Sequence, residues 1–370
     1  MSKTIMYVGC RNRLAEPGDT ARGEGISAFM FDTATGRLAA LGTTVGIDNP
    51  TFLAISADNR HLYATSEVVG WNEGTITAYA LDPDSGALTY INKQPSRGSL
   101  PAQLSFDAAG RYLLAINYSI GAMTQRPNRS VVVFACATDG ELLAPVAEVT
   151  HMGHGPDPAR QERPHPHCVR TAPDNRFAVV ADLGLDRLAV YRFNAITGTI
   201  EWHCEAVLPP GSGPRHFAFH PKLPLACVAN ELNSTLATLL YDAANGSFSL
   251  RSVISTLPEG PTTASNSCSE IAFAPDGRHL YVGNRGHDSL ACFEIDEADG
   301  RARLLSTTPS GGRTPRHFAF DPTGAFLVVG NQDDDCIAVF TVTHRTGQLR
   351  QVSDVTYSGT PTCIAFAELS

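Results

Sequence analysis

The sequence has no apolar run near the roughly 18 residues that a membrane-crossing helix needs, and no C-x-x-C pair among its nine cysteines. It has only two tryptophans, Trp71 and Trp202, and neither is followed by Asp. It has no basic block: 28 Lys and Arg stand against 37 Asp and Glu, a formal charge of -9. No G-x-S-x-G stretch is present, and no long window shows helical periodicity. Each absence excludes something. A spanning helix is ruled out, and no membrane partner is expected. Nucleic-acid binding needs clustered Lys and Arg to displace counterions, so no nucleic-acid partner is expected either. The odd cysteine count, with Cys227, Cys292, Cys336 and Cys363 inside apolar runs, points to buried free thiols rather than a disulfide scaffold. A serine nucleophile on a strand-to-helix elbow is not expected. Met1–Thr4 leads into about five apolar residues before Arg11, too few for a secretory core of roughly 7–15. Cytoplasmic residence is the expectation.

What is present is a repeat. A small residue or Pro opens an alternating apolar run at residues 50, 101, 166, 214, 268, 315 and 361. Examples are Pro214-Arg215-His216-Phe217-Ala218-Phe219 and Pro315-Arg316-His317-Phe318-Ala319-Phe320. A second series, out of phase, is a Gly-centred turn at Gly36, Gly86, Gly140, Gly198, Gly246, Gly300 and Gly347. Asp139-Gly140, Asn245-Gly246 and Asp299-Gly300 are strong hairpin signals, because Gly accepts the positive φ such turns require. A third series of turns falls between them, at Asp58-Asn59, Ala109-Gly110, Asp174-Asn175, Asp276-Gly277 and Thr323-Gly324.

Four short strands in about 50 residues make a propeller blade. Two independent series give seven copies, so the chain is predicted to be all-β, one seven-bladed β-propeller over 1–370, with four-stranded antiparallel blades. The last inner strand, from residue 361, has no partners after it. It must pair with the N-terminal run Ile5-Met6-Tyr7-Val8, which closes the ring and removes its free edges. The WD40 repeat, the obvious rival, lacks its Trp-Asp signature here.

Long connections at 11–24, 118–130 and 146–165 share one face of the ring, where function is expected. The first positions of the inner strands are Thr51, Ala102, His167, Arg215, Ser269, Arg316 and Thr362. The next are Phe52, Gln103, Cys168, His216, Glu270, His317 and Cys363. The second strands end in Asn117-Tyr118, Asp182-Leu183, Asn230-Glu231, Asn284-Arg285 and Asn331-Gln332, among others. Inner strands converge on the axis, so these groups should ring the mouth of a central channel. Strand-end Asn commonly makes local turns, and Asn117, Asn230, Asn284 and Asn331 are read as structural. His167, Arg215, Glu231 and Arg285 together favour function, since burying four titratable groups of mixed type is costly unless a ligand uses them.

At these residues the sequence resembles the seven-bladed lactonase family of propeller-type 6-phosphogluconolactonases and carboxymuconate lactonizing enzyme. Pro164-His165-Pro166-His167, Gly213-Pro214-Arg215-His216, Ala229-Asn230-Glu231, Ser269-Glu270-Ile271, Gly283-Asn284-Arg285-Gly286-His287-Asp288-Ser289 and Thr314-Pro315-Arg316-His317-Phe318 carry the resemblance. It implies a catalytic set of His167, Arg215, Glu231 and Arg285. It also implies hydrolysis of a sugar lactone, foremost 6-phospho-D-glucono-1,5-lactone, by base-activated water with arginines on the oxyanion. His165, His216, Glu270, His287, Arg316, His317 and Gln103 are the expected substrate contacts, with Arg316 or His317 holding the anionic group. The base is either His167 or Glu231. Two alternatives stay open: closure of a carboxylated muconate by the same residues, and a non-catalytic binding or scaffold propeller. His151, His154, His165 and His167 could suggest zinc, but no carboxylate or Cys completes a standard spacing. No metal and no cofactor is expected. The small anionic lactone is the expected partner, and the chain is expected as a monomer or homodimer.

Overall fold

The computed structural model describes residues 3–14, 21–120, 126–260, 265–352 and 354–369. Seven antiparallel sheets follow one another around an axis, six of four strands and one of five. The inner strands are Leu53–Ile55, Pro101–Phe106, Pro166–Thr171, Pro214–Phe219, Ser267–Phe273, Pro315–Phe320 and Pro361–Leu369, here blades 1 to 7. Blade 7 is built from both ends of the chain. Lys3–Cys10 pairs with Pro361–Leu369 from Lys3↔Leu369 to Cys10↔Pro361, closing the ring. In blade 6 the outer strand is split, so that Gln348–Gln351 and Thr356–Tyr357 both pair with Cys336–Thr343.

In blade 1 the inner strand begins at Leu53 rather than at 50. Phe52 N–H is taken by the Thr65 hydroxyl rather than by a backbone carbonyl, which delays the ladder. The third long connection is also shorter than its sequence range, because the outer strand Leu142–Val149 runs to residue 149. Parts of the other two long connections, 15–20 and 121–125, lie outside the described residues.

Second strands are buried throughout, as in Tyr112–Asn117 and Phe177–Asp182. Outer strands such as Leu88–Pro95 are half-exposed. The core therefore lies between blades, where apolar faces of adjacent sheets meet; Val179, Val190, Phe217 and Val228 share one such layer.

The Gly series explains how neighbouring blades lock. Tyr63 of blade 1 donates its hydroxyl to Gly140 O of blade 2 at 2.9 Å, and Tyr281 of blade 5 donates to Gly347 O of blade 6 at 2.7 Å. At Gly246 the backbone has φ 64°. A Cβ there would stand 2.3 Å from the Phe177 ring of blade 3. Left-handed strain of about 1–2 kcal/mol then adds to overpacking of about 1–3 kcal/mol. Gly246→Ala is expected to cost that sum in stability, read as a lower urea midpoint at an unchanged slope.

Candidate active site at the axial mouth

The strand-end asparagines work as anchors. Asn117 Nδ2 donates to Ser96 O at 2.8 Å and Arg129 O at 2.9 Å. Asn284 Nδ2 donates to Thr256 O at 3.0 Å, and Asn331 Nδ2 to Ser310 O at 2.9 Å. Each ties its strand end to a loop and leaves the next residue, Tyr118, Arg285 or Gln332, to turn towards the axis. Asn230, before Glu231, bonds instead to Thr235, its cross-strand partner in the same blade.

Glu231 is the hub of the mouth. Its Oε2 accepts from Arg285 Nη2 at 2.7 Å, and its Oε1 from Arg160 Nη2 at 2.5 Å. Arg215 Nε lies 3.1 Å from Oε2. It points off line, so this ion pair makes no hydrogen bond. Arg285 Nη2 also donates to Cys268 O at 2.8 Å. Burial pushes the Glu231 carboxyl up, but Arg285, Arg215 and Arg160 outweigh it and hold it at about 2. Burial and the neighbouring Arg285, offset by Glu231, bring Arg215 down to about 9, still charged at neutral pH.

This arrangement sets a pH dependence. The Glu231 pKa in an unfolded chain is about 4.3, so its folded value is depressed. Its stabilisation is complete above the unfolded value and is lost as pH falls from about 4 to about 2. Glu231→Gln leaves three guanidiniums without their carboxylate. It is expected to destabilise by about 3–5 kcal/mol at neutral pH. Urea midpoints measured down the acid range should show that gap closing.

His167 is buried against Tyr118 and His216, with ring centroids at 5.6 and 5.1 Å. Its Nδ1 is enclosed and has no partner. Burial first, then Arg215, His216 and Arg316, hold its pKa well below the usual value. It is a neutral imidazole at physiological pH.

The four expected catalytic residues thus meet in one place. The expected substrate contacts divide. Arg316 faces the mouth with loose partners, Glu67 at 3.9 Å and Gln332 at 3.3 Å. His165 stacks on Tyr118 at 4.4 Å and has both ring nitrogens engaged, by Tyr118 O and Glu162. It forms the wall behind His167. Gln103 joins two blades instead, donating to Leu104 O and accepting from Val169 N, each at 2.9 Å. His287 is exposed and turned to Ser289 in its own loop. His216, Glu270 and His317 lie deeper, bound to one another. Burial, against the pull of Glu270, brings His216 down to about 4. The four loop histidines weighed for zinc are dispersed: His151 sits between Asp182 and Tyr191, and His154 is exposed. No group of three or more His, Cys, Asp or Glu in metal-binding geometry occurs among the described residues.

Sequence reading missed Arg160. It lies in the long 150–165 connection and reaches over to blade 4. The length of that connection was the only signal. Arg160, Glu231, Arg285, Asn266, Ser267 and Thr314 line a cavity of about 440 Å³ at the mouth, in the range that holds small molecules.

The family description "Lactonase, 7-bladed beta-propeller" matches residues 5–366. The chain belongs to the seven-bladed β-propeller lactonase family. A curated 6-phosphogluconolactonase of Bacillus subtilis is 35% identical over 86% of this chain and 85% of that protein. The periplasmic gluconolactonase of Pseudomonas aeruginosa superposes with a TM-score of 0.88 at 28% identity, covering 100% of both chains. A Lactobacillus plantarum protein superposes with a TM-score of 0.87 at 32% identity, again over 100% of both. The family's defining activity makes this lactonase an enzyme rather than a bare scaffold.

Proposed function

We propose that this lactonase hydrolyses a phosphorylated sugar lactone, foremost 6-phospho-D-glucono-1,5-lactone, at the axial mouth. The observation that carries the reading is a set of enclosed polar atoms with no protein hydrogen-bond partner: Arg215 Nε and Nη1 and Arg285 Nε. Buried polar groups are normally satisfied. Three such guanidinium atoms in one place are what a polar ligand would complete. The named relatives act on lactones of this class, one phosphorylated and one plain.

The charge balance favours an anion. Among the described residues, the ion pairs of Arg160, Arg215, Arg285 and Arg316 are shared between two carboxylates, Glu231 and Glu67. In this reading Arg215 and Arg285 meet the lactone carbonyl oxygen and stabilise the charge that develops on it. Arg316, the least tightly paired of the four, takes the phosphate. His167 is the base that removes a proton from the attacking water. Glu231 is a poor base, since its pKa lies far below neutral pH and both its oxygens are held by guanidiniums. Its part is to hold three arginines in place against their mutual repulsion.

The test is turnover of purified protein on phosphorylated and plain gluconolactones and on carboxymuconate, each corrected for spontaneous ring opening. Preference for the phosphorylated lactone supports the reading. Activity on the plain lactone alone would remove the phosphate assignment. Turnover of carboxymuconate alone would replace hydrolysis with cyclisation.

A further inference from the structure

Below the mouth, three side chains from three blades join in the channel. His216 Nδ1 lies 2.9 Å from Glu270 Oε2, and His317 Nε2 lies 3.2 Å from the same oxygen. Ile364 N–H donates to His317 Nδ1 at 3.2 Å. That fixes His317 as the Nε2–H tautomer, with Nε2 in ion-pair reach of Glu270 and 3.8 Å from Cys363 Sγ, and leaves it no lone pair towards the carboxylate for a metal. Glu270 Oε1 is occupied by Ile271 N–H at 3.1 Å. An ionised carboxylate only accepts, so His216 must carry its proton on Nδ1. Its Nε2 is then a bare lone pair, enclosed and without a partner.

His167 supplies the complement. Its Nδ1 is also enclosed and unpartnered, and its ring contacts that of His216 at 5.1 Å, inclined by 66°. With Nδ1 enclosed, Nε2 is the nitrogen left to meet water. The tautomer that works as a base therefore carries its proton on Nδ1, a buried donor lacking an acceptor. The ring in contact with it carries His216 Nε2, a buried acceptor lacking a donor.

We propose that His167, His216 and Glu270 form a proton relay, with Glu270 and His216 as positioning residues that act through His167 and His317 as the second clamp on Glu270. This rests on the lactonase reading above. The two nitrogens are not hydrogen-bonded in this structure; a ring rotation or one bridging water closes the gap. As the water oxygen bonds to the lactone carbonyl carbon, its O–H bond breaks and the proton goes to His167 Nε2. The Nδ1 proton of His167 passes to His216 Nε2. The positive charge then rests on His216, which bonds the Glu270 carboxylate. When the ring C–O bond breaks, the same proton returns through His167 to the departing oxygen, which becomes a hydroxyl. The product carboxylic acid ionises to solvent.

The charged and titratable groups facing His216 are Glu270, His317, His167, Arg170 and Arg215. Only Glu270 favours its protonation, so the relay depends on that carboxylate. Glu270→Gln keeps a hydrogen-bond acceptor and loses the charge. It is expected to lower kcat by about 10–100-fold at unchanged KM, up to the lower bound of what a positioned general base contributes, and to move the acid limb of kcat to lower pH. Wild-type kcat with an unmoved limb would overturn the relay, as would equal losses in kcat and KM with an unmoved limb. Should that variant fail to fold, His216→Gln still donates to Glu270 but cannot take a proton, and the same kcat loss is expected; retained kcat overturns the proposal. Imidazole nitrogen NMR of the wild-type protein reads the relay without substrate. Nδ1–H on both His167 and His216 is expected, and Nε2–H on either overturns it. Failure of wild-type lactone turnover, by contrast, would sink the functional reading itself.

Discussion

His167→Asn is expected to lower kcat for the lactone by about 10²–10⁴-fold, the usual contribution of a positioned base, while KM changes by less than about threefold. The reason lies in its surroundings. Two cationic arginines and burial keep the ring neutral, so it can accept a proton at physiological pH. No described protein group bonds to either nitrogen, so the loss of the ring leaves no partner stranded. The fold should tolerate the change, and circular dichroism with a urea midpoint close to wild type would separate chemistry from folding. Full activity of a folded His167→Asn protein would remove His167 from the mechanism.

Arg215→Met is the second large effect. Removing one donor to a developing oxyanion typically lowers the rate by about 10²–10³-fold, and kcat/KM should fall by that much here. Arg215 is enclosed, and two of its donor atoms have no protein hydrogen-bond partner. Methionine fills the space of the stem without leaving a buried charge. Arg285 remains, so activity should not vanish. The substitution carries a second signature. Arg215 is the foremost charge holding the His167 pKa down, so the acid limb of the rate profile should move to higher pH in the variant. A loss of rate without that movement would mean that Arg215 acts at a distance from His167. An unchanged rate would place the oxyanion elsewhere. Glu231→Gln should behave differently, losing stability as well as activity, because its carboxylate offsets three guanidiniums.

The fold was legible because its signals are local and repeated. A Gly turn needs positive φ wherever it occurs, and seven such turns alternating with seven inner strands leave one closed architecture. The mouth was legible at Arg215, Glu231 and Arg285 because strand ends in a propeller converge on the axis whatever the loops do. Arg160 was not legible. It acts from a long connection, and nothing in a loop sequence fixes which residue reaches 71 positions along the chain to Glu231. The Glu270 contacts were hidden for a related reason. Its two histidine partners are 54 residues before it and 47 after it, on separate blades. The inner strands place them in one layer, but only coordinates show which nitrogen meets which oxygen. Gln103 shows the converse case. Its strand position matched that of His216 and Glu270, yet its amide is spent on backbone groups of its own and the next blade.

The central claim is that the axial mouth opens an anionic lactone between His167 and the Arg215–Glu231–Arg285 cluster. A crystal structure with the product 6-phosphogluconate tests it most directly. The account expects the carboxylate against Arg215 and Arg285, within reach of His167, and the phosphate at Arg316. Product bound on another face of the ring, or a mouth left empty at saturating product, would contradict it.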